Sequence, residues 1–529
     1  MSVHGGESAE GVEVTRGFSP AHSGSFPLPF WQAGLLAAAT AVLLTLSFPH
    51  ARLHFLAWLA LIPFLLACRG QGVLRGTVLG LVLGIGFQAS LLSWALFFGP
   101  LALVGLVLFK SVAPALLGAV LGLRRPGGAV GDAFFAASSW VAVEFLQTLG
   151  PLGITWGMLG HTQARVPVLI QVGALVGPWG LSFVLAWTNA AVAGWVVRWR
   201  ASGLREGTRR AGPALAWAAG ICALALLFGA WRLAHPPVAS GPPLTWGVVQ
   251  VSMPQDVKWD PAFQAETMER LEALTRQAAA QGAQVVVWPE TSIPYRGFLQ
   301  MPGLMTRVSR LARDLGVWLL VGSIESAGHQ ATLNTASLFS PQGRLAGRHD
   351  KHRLVPFGEF LPWKRYLPPL PQLDLVMNYL PGPRPHPLDL GGTPVGVLIC
   401  YESMVSHLPA DLVGQGARFL VVPTNDAWFG ETSAAAHHFD MAILRAVETG
   451  RPTIQAGNTG ISGFVSATGE VLSETRLMER GVRVALLAPV SEETLYTRVG
   501  DLLAWACAGW VLLAGLASLS PRSGEGQPA

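Results

Sequence analysis

Long apolar runs dominate the first part of this chain, and ordinary mixed sequence follows. Seven apolar stretches come first, at 30–48, 51–68, 74–98, 101–123, 131–150, 171–197 and 212–232, and an eighth, 500–519, comes near the end. Each is close to the ~20 residues a helix needs to cross a hydrocarbon core. Between 236 and 499 the pattern changes. A strand-like run at 244–252 precedes a helical repeat over 261–281, with Leu271, Leu274 and Ala278 on one side. Short apolar runs follow at 284–288, 317–322, 395–399, 419–422 and 453–456. Helices are predicted near 303–315 and 433–448, and a hairpin around Ala467-Thr468-Gly469. Strands alternating with helices predict α/β layering, with a sheet buried on at least one face. The proline-rich stretch 357–389 reads as a long functional loop. Its Phe357, Phe360, Leu361, Trp363, Tyr366, Leu367 and Leu370 would form an apolar lid.

This pattern predicts a tail (1–29), a seven-span helical domain (30–235), an α/β domain (236–499), an eighth span (500–519) and a second tail (520–529). The first span follows 29 residues holding three glutamates and one arginine, unlike the short basic leader of a signal peptide. Composition agrees. The 529 residues are 51% hydrophobic and 13% charged, against about 25% charged in ordinary soluble domains.

The net charge of +5 says less than where the arginines fall. Arg69 and Arg75 follow the second span, Arg124 and Arg125 the fourth, and Arg198, Arg200, Arg205, Arg209 and Arg210 the sixth. Intervening turns such as Gly99-Pro100 are nearly uncharged. Arginine in every second loop marks the cytoplasmic side, so both tails are expected inside and 236–499 outside. No basic run with interleaved aromatics points to nucleic acid. Lys110 and Glu144 interrupt two spans, and such residues usually pair or line a polar cavity. An ion pair between them is the expectation.

Three of the four cysteines, Cys68, Cys222 and Cys507, lie in spans, where a thiol acts as a small hydrophobe. Cys400, ending the run 395–399, stands apart and is a candidate nucleophile. Glu290 is presented at another strand end, after Trp288-Pro289. Lys351 lies in Asp350-Lys351-His352-Arg353. A thiol needs a base, and an acyl-transfer intermediate needs a donor at its oxyanion. A carboxylate and an ammonium can supply both without histidine. Taken singly, Glu290 reads as a surface acid, Lys351 as part of a solvated charged face, and Trp259 and Tyr401 as packed aromatics. No Cys/His/carboxylate set shows ligand spacing, and the adjacent His437 and His438 do not face one another on a helix. No metal and no cofactor are expected.

In order, Glu290, Lys351 and Cys400 resemble the catalytic set of the nitrilase superfamily, which uses an αββα sandwich. The words Trp288-Pro289-Glu290-Thr291-Ser292, Leu354-Val355-Pro356-Phe357-Gly358-Glu359, Ile399-Cys400-Tyr401-Glu402 and Asn425-Asp426-Ala427-Trp428-Phe429-Gly430 narrow the match. With seven spans before and one after, the chain resembles the apolipoprotein N-acyltransferase family over nearly its whole length. One departure is His349, where an aromatic is common. The resemblance implies a bacterial inner-membrane, multi-pass enzyme whose catalytic domain faces the periplasm. It would move an acyl chain from a membrane phospholipid, through a Cys400 thioester, to the N-terminal amine of a diacylglyceryl-cysteine apolipoprotein.

Further roles come with the resemblance. Glu290 would be general base and Lys351 the oxyanion donor. Glu359 and Glu402 would hold Lys351 and orient the site, with Asn334 and Tyr401 beside them. Trp259 would bind substrate. The chain is expected to work as a monomer in the bilayer. The alternative from residue chemistry is a membrane-tethered amidase or nitrilase, in which water resolves the thioester. A transporter with an external domain fits less well, because few charges lie within the spans.

Overall fold

The computed structural model describes residues 27–123, 127–328, 331–362 and 378–519. Residues 1–26 of the predicted first tail, the second tail 520–529, Arg124 and Arg125, and Trp363, Tyr366, Leu367 and Leu370 of the expected lid lie outside the described residues.

In lipid a backbone must satisfy its own hydrogen bonds, so the apolar runs coil. They give α1 (Phe30–Ser47), α2 (Ile62–Cys68), α3 (Gly72–Leu91), α4 (Pro100–Leu123), α5 (Ala129–Leu146), α6 (Pro167–Ile170), α7 (Gly173–Val176), α8 (Pro178–Ser202) and α9 (Leu204–Ala234). Six of these, α1, α3, α4, α5, α8 and α9, are long and apolar enough to cross a membrane.

Of the eight predicted spans, 51–68 and 500–519 are not among these six, and 171–197 begins late. The run 51–68 is a 3₁₀ turn, His54–Trp58, followed by the seven residues of α2. It still retraces α1 from end to end. Leu53 N–H donates to Leu46 O at 3.0 Å, Phe64 N–H to Thr40 Oγ1 at 3.0 Å, and Gln71 Nε2 to Leu28 O at 2.8 Å. The run 171–197 starts its long helix only at Pro178, because Gly177 takes φ 67° and a proline fits the first helical turn.

The bundle closes through small residues. A Cβ on Gly118 of α4 would run into the carbonyl of Gly76 on α3, so only glycine lets these helices meet. At one end of the bundle Arg198 pairs with Asp132 at 3.3 Å, and Arg69 and Asp132 line one pocket with Val197. The α/β domain sits on the opposite end.

The expected Lys110–Glu144 ion pair does not form. Both residues are buried, yet each binds a loop instead. Lys110 Nζ donates to Ile154 O at 3.0 Å, and Glu144 Oε1 accepts from Leu159 N at 2.6 Å and Trp140 Nε1 at 2.7 Å. The irregular backbone after α5 exposes polar groups at the bundle's end, and these are the partners within reach.

The α/β domain contains β1 (Leu244–Gln250), α10 (Pro261–Ala280), β2 (Val285–Val287), α11 (Pro302–Leu315), β3 (Trp318–Ser326), β4 (Thr332–Phe339), β5 (Leu345–Asp350), β6 (Leu388–Asp389), β7 (Pro394–Val397), α12 (His407–Gly414), β8 (Phe419–Thr424), α13 (Ala434–Thr449), β9 (Thr453–Gly457), β10 (Gly463–Val465), β11 (Val471–Glu474) and β12 (Gly481–Leu487). The short helix α14 (Leu495–Val499) leads into α15 (Leu502–Leu519). Two six-stranded sheets run β12-β1-β2-β3-β4-β5 and β11-β10-β9-β8-β7-β6. In each, the three strands linked through helices are parallel and the flanking strands antiparallel.

Alternation along the strands explains the layering. In β1 and β2, Trp246, Val248, Val285 and Val287 face the second sheet, where they meet Val397, Phe419, Val421 and Ile454. Val249 and Val286 face the other way, onto Met268 and Leu271 of α10 and Val308 and Leu311 of α11. Leu408 and Leu412 of α12 cover Leu420 and Val422 on the far side. Strands buried on both faces read as continuous apolar runs. The result is an αββα sandwich, the layering that the resemblance implies.

Candidate active site

The site lies where strand ends of the two sheets meet. Glu290 leaves β2 through Trp288-Pro289 and enters a sharp turn in which Thr291 takes φ 47°. Gly322 of β3 makes room for that turn, since a Cβ there would lie 2.8 Å from Glu290 Cα. Cys400 follows β7 at the head of a 3₁₀ turn, Cys400–Met404, with φ 51°. Left-handed backbone at a non-glycine residue is costly and clusters at functional sites. Lys351 directly follows β5.

These three predicted residues come together, with others around them. Lys351 Nζ donates to Glu290 Oε1 at 3.1 Å and to Glu359 Oε1 at 2.8 Å. Asn334 Nδ2 donates to the same two oxygens, at 2.7 and 3.1 Å. From the second sheet, Asn425 N–H donates to Glu290 Oε2 at 2.8 Å. Glu359 Oε2 in turn accepts from Val355 N at 2.8 Å. An ammonium has three donors, and two are committed here.

Electrostatics follow from this packing. Burial acts to raise the Glu290 carboxyl, but the Lys351 charge and the bonds from Asn334 and Lys351 outweigh it, so Glu290 stays ionised below the usual carboxylate range. Burial likewise opposes the Lys351 charge, yet Glu290 and Glu359 hold its ammonium well above the ordinary range. Cys400 goes the other way. Burial and the negative Glu290 push its thiol well up, against the pull of Lys351. The resting site is therefore thiol, carboxylate and ammonium.

Glu402 does not touch Lys351 itself. Its Oε1 accepts from His352 N at 2.8 Å and Arg353 N at 3.1 Å, just past Lys351. Its Oε2 accepts from Ile399 N at 2.7 Å, just before Cys400, and meets His349 Nε2 at 2.9 Å. One buried carboxylate thus ties the two chain segments together. Tyr401 points away, toward the membrane bundle, where its hydroxyl donates to Gly153 O. Trp259 packs with Ile324, Leu354, Phe360 and Tyr379, and the Arg296 guanidinium lies 5.8 Å from its ring. Of the expected lid, Phe360 joins this group and Phe357 is exposed.

Two features had no clear signal in the sequence. Lys258 is 2% exposed and donates to Thr291 Oγ1 at 2.6 Å and Glu290 O at 3.3 Å. Burial lowers its pKa to about 7, despite the nearby Glu290 and Cys400. Its neighbour Trp259 was the only local cue. Secondly, Cys400, Asp426 and His438 offer ligand atoms within 4.8 Å of one another. His438 Nδ1 meets Asp426 Oδ1 at 2.8 Å and its Nε2 meets Ser403 Oγ at 3.0 Å. With both ring nitrogens engaged, neither offers a free lone pair to a cation.

Aromatic residues of the bundle surround the next loop. Trp94 lies 4.9 Å from Phe429, and Phe98 stacks on Trp428 at 5.7 Å. Leu96, Phe97 and Leu101 are exposed beside them.

Comparison with known proteins covers both halves of the chain. The carbon-nitrogen hydrolase family model matches residues 247–495, and a model for the apolipoprotein N-acyltransferase N-terminal domain matches residues 40–191. A protein named apolipoprotein N-acyltransferase from Geobacter metallireducens is 35% identical over 91% of this chain and 95% of its own length. One of the same name from Gloeobacter violaceus is 33% identical, covering 94% and 96%. Among solved structures, an amidase from Nesterenkonia is 22% identical, with a TM-score of 0.38, over 52% of this chain and 98% of that one.

Proposed function

The chain belongs to the apolipoprotein N-acyltransferase family, and from that premise we propose that it acylates lipoproteins through a thioester on Cys400. The observation that carries this reading is the convergence of Glu290 and Lys351, 3.1 Å apart, beside the Cys400 thiol.

In the first step Cys400 Sγ attacks an ester carbonyl of a membrane phospholipid while Glu290 takes the thiol proton. The third Lys351 N–H faces the oxyanion. Collapse of the tetrahedral intermediate expels the lysophospholipid alkoxide, which receives the proton from Glu290. The α-amine of a diacylglyceryl-cysteine then attacks the thioester and gives its proton to Glu290. Cys400 leaves as thiolate and is reprotonated from Glu290, so the enzyme ends as it began.

Proton transfer also settles the charges. A carboxylate with a lowered pKa is a weak base for a thiol with a raised one. Moving the proton exchanges the Glu290–Lys351 ion pair for a thiolate–Lys351 pair, so Lys351 keeps a counter-charge throughout. Glu359, Asn334 and Glu402 hold this geometry, and Trp259 contributes to the substrate pocket.

Lipid-bound substrates require a site at the bilayer surface. Supporting that placement, Phe97 and Phe98 pack on Trp428 in the loop beyond Asn425, and Leu96 and Leu101, near them in sequence, are exposed. The chain is multi-pass. In this reading it crosses eight times, with α2 completing the return along α1 and α15 the last crossing. The Arg69–Asp132–Arg198 end faces the cytoplasm, and the α/β domain, residues 236–499, faces the periplasm of a bacterial inner membrane. Water as the second acceptor, giving an amidase, is disfavoured by membership of the acyltransferase family.

The test uses purified protein with labelled phospholipid and a diacylglyceryl peptide. N-acyl peptide is expected. Free fatty acid alone would contradict the reading.

A further inference from the structure

We propose that the membrane-buried Lys110 and Glu144 are positioning residues for the nucleophile, acting through the loop that follows α5. This rests on the acyl-transfer reading of Cys400.

Three consecutive residues of that loop carry the link. Gly153 O accepts the Tyr401 hydroxyl, and Thr155 Oγ1 donates to Met404 O at 2.5 Å. Both partners belong to the 3₁₀ turn that begins with Cys400. Between them, Ile154 O faces the bundle and accepts from Lys110 Nζ at 3.0 Å. Arg353, two residues past Lys351, donates to Gly150 O of the same loop. Further along, Leu159 N–H is held by Glu144 at 2.6 Å.

The donor and acceptor types fit their tasks. An amine donates to a carbonyl and a carboxyl oxygen accepts from an amide, each the complement of the loop atom it holds. Lys110 and Glu144 are 2% and 5% exposed, and each is costly to bury without a partner. Helix ends alone would leave the loop free to shift. Because the Cys400 turn leans on that loop through Tyr401 and Met404, a displacement at Ile154 reaches the sulfur. Reaction rates fall steeply when a reacting atom moves by an ångström or less. Lys110 and Glu144 therefore couple the bundle to the reaction centre without touching substrate.

The experiment measures acyl-enzyme formation on Cys400 with labelled phospholipid in detergent, alongside Tm. Lys110→Met is expected to slow thioester formation about tenfold or more while KM for phospholipid stays within about twofold. Lys110→Arg, which keeps a donor, should restore most of the rate. If Lys110→Met fails to fold, Thr155→Val with Tyr401→Phe cuts the same link at its far end and should give the same kcat loss. Where both ends are measurable, combining Lys110→Met with Tyr401→Phe should cost much less than the product of the single effects. Wild-type rates in Lys110→Met, or in the far-end pair when that arm is needed, would overturn the proposal, as would fully multiplicative losses. Absence of any thioester in the wild-type enzyme would instead overturn the acyl-transfer reading itself.

Discussion

The backbone N–H of Asn425 donates to Glu290 Oε2 at 2.8 Å, so the second sheet holds the carboxylate that the first sheet delivers. Glu290 is thereby fixed by both halves of the sandwich, with Lys351 and Asn334 on its other oxygen. A group held this way is suited to moving a proton without moving itself.

Glu290→Gln keeps the shape and removes the base. Acyl transfer is expected to fall by about 10²- to 10⁴-fold, measured as N-acyl peptide formed per minute. Reactivity of Cys400 toward iodoacetamide should rise in the same variant, because the negative charge that raises the thiol pKa is gone. Parallel loss of both would indicate a collapsed site.

The raised thiol pKa sets a pH dependence. Below its pKa a thiol gains thiolate about tenfold per pH unit. Alkylation of Cys400 in the wild-type enzyme should therefore climb steadily from pH 6 to 9. A plateau near neutrality, the mark of a preformed thiolate, would contradict the resting state of thiol, carboxylate and ammonium.

Lys351 is 1% exposed between two carboxylates. Lys351→Met leaves the buried Glu290, and the partly buried Glu359 beside it, without their ammonium partner. Removing one partner of a buried pair costs about 3–5 kcal/mol, which should lower Tm in detergent as well as abolish acylation. An unchanged Tm would mean that this lysine is not the counter-charge on which the buried Glu290 depends.

Gly118→Val tests the bundle. Its side chain would strike the Gly76 carbonyl and force α3 from α4. Overpacking of this kind costs about 1–3 kcal/mol, and a reduced yield of folded protein from membranes is the expected result. A swap of Lys110 and Glu144, by contrast, should not rescue either single loss, since the two residues hold different loop atoms.

Much of this architecture could be read from residue order. Glu290 and Cys400 were legible because each ends an apolar run that a buried strand explains, and Lys351 because its neighbours repeat a family word. Strand β4 and the edge strand β5 beside it carry no legible period. β4 mixes Asn334, Thr335 and Ser337 into a buried surface, and β5 is polar along the sheet's edge, so neither shows an apolar period. Lys258 was invisible for another reason: its partners are a carbonyl and a hydroxyl formed by the Glu290 turn, which no spacing encodes. The same limit explains Lys110 and Glu144. Their burial in spans required polar partners, but backbone atoms of an irregular loop leave no mark in side-chain identity.

The most direct measurement is intact-protein and peptide mass spectrometry after incubation with a phospholipid of defined acyl chain and no acceptor. One added acyl mass is expected on the peptide bearing Cys400, lost on addition of a diacylglyceryl peptide and absent in Cys400→Ser. No adduct under turnover conditions, or an adduct on another residue, would contradict a thioester on Cys400.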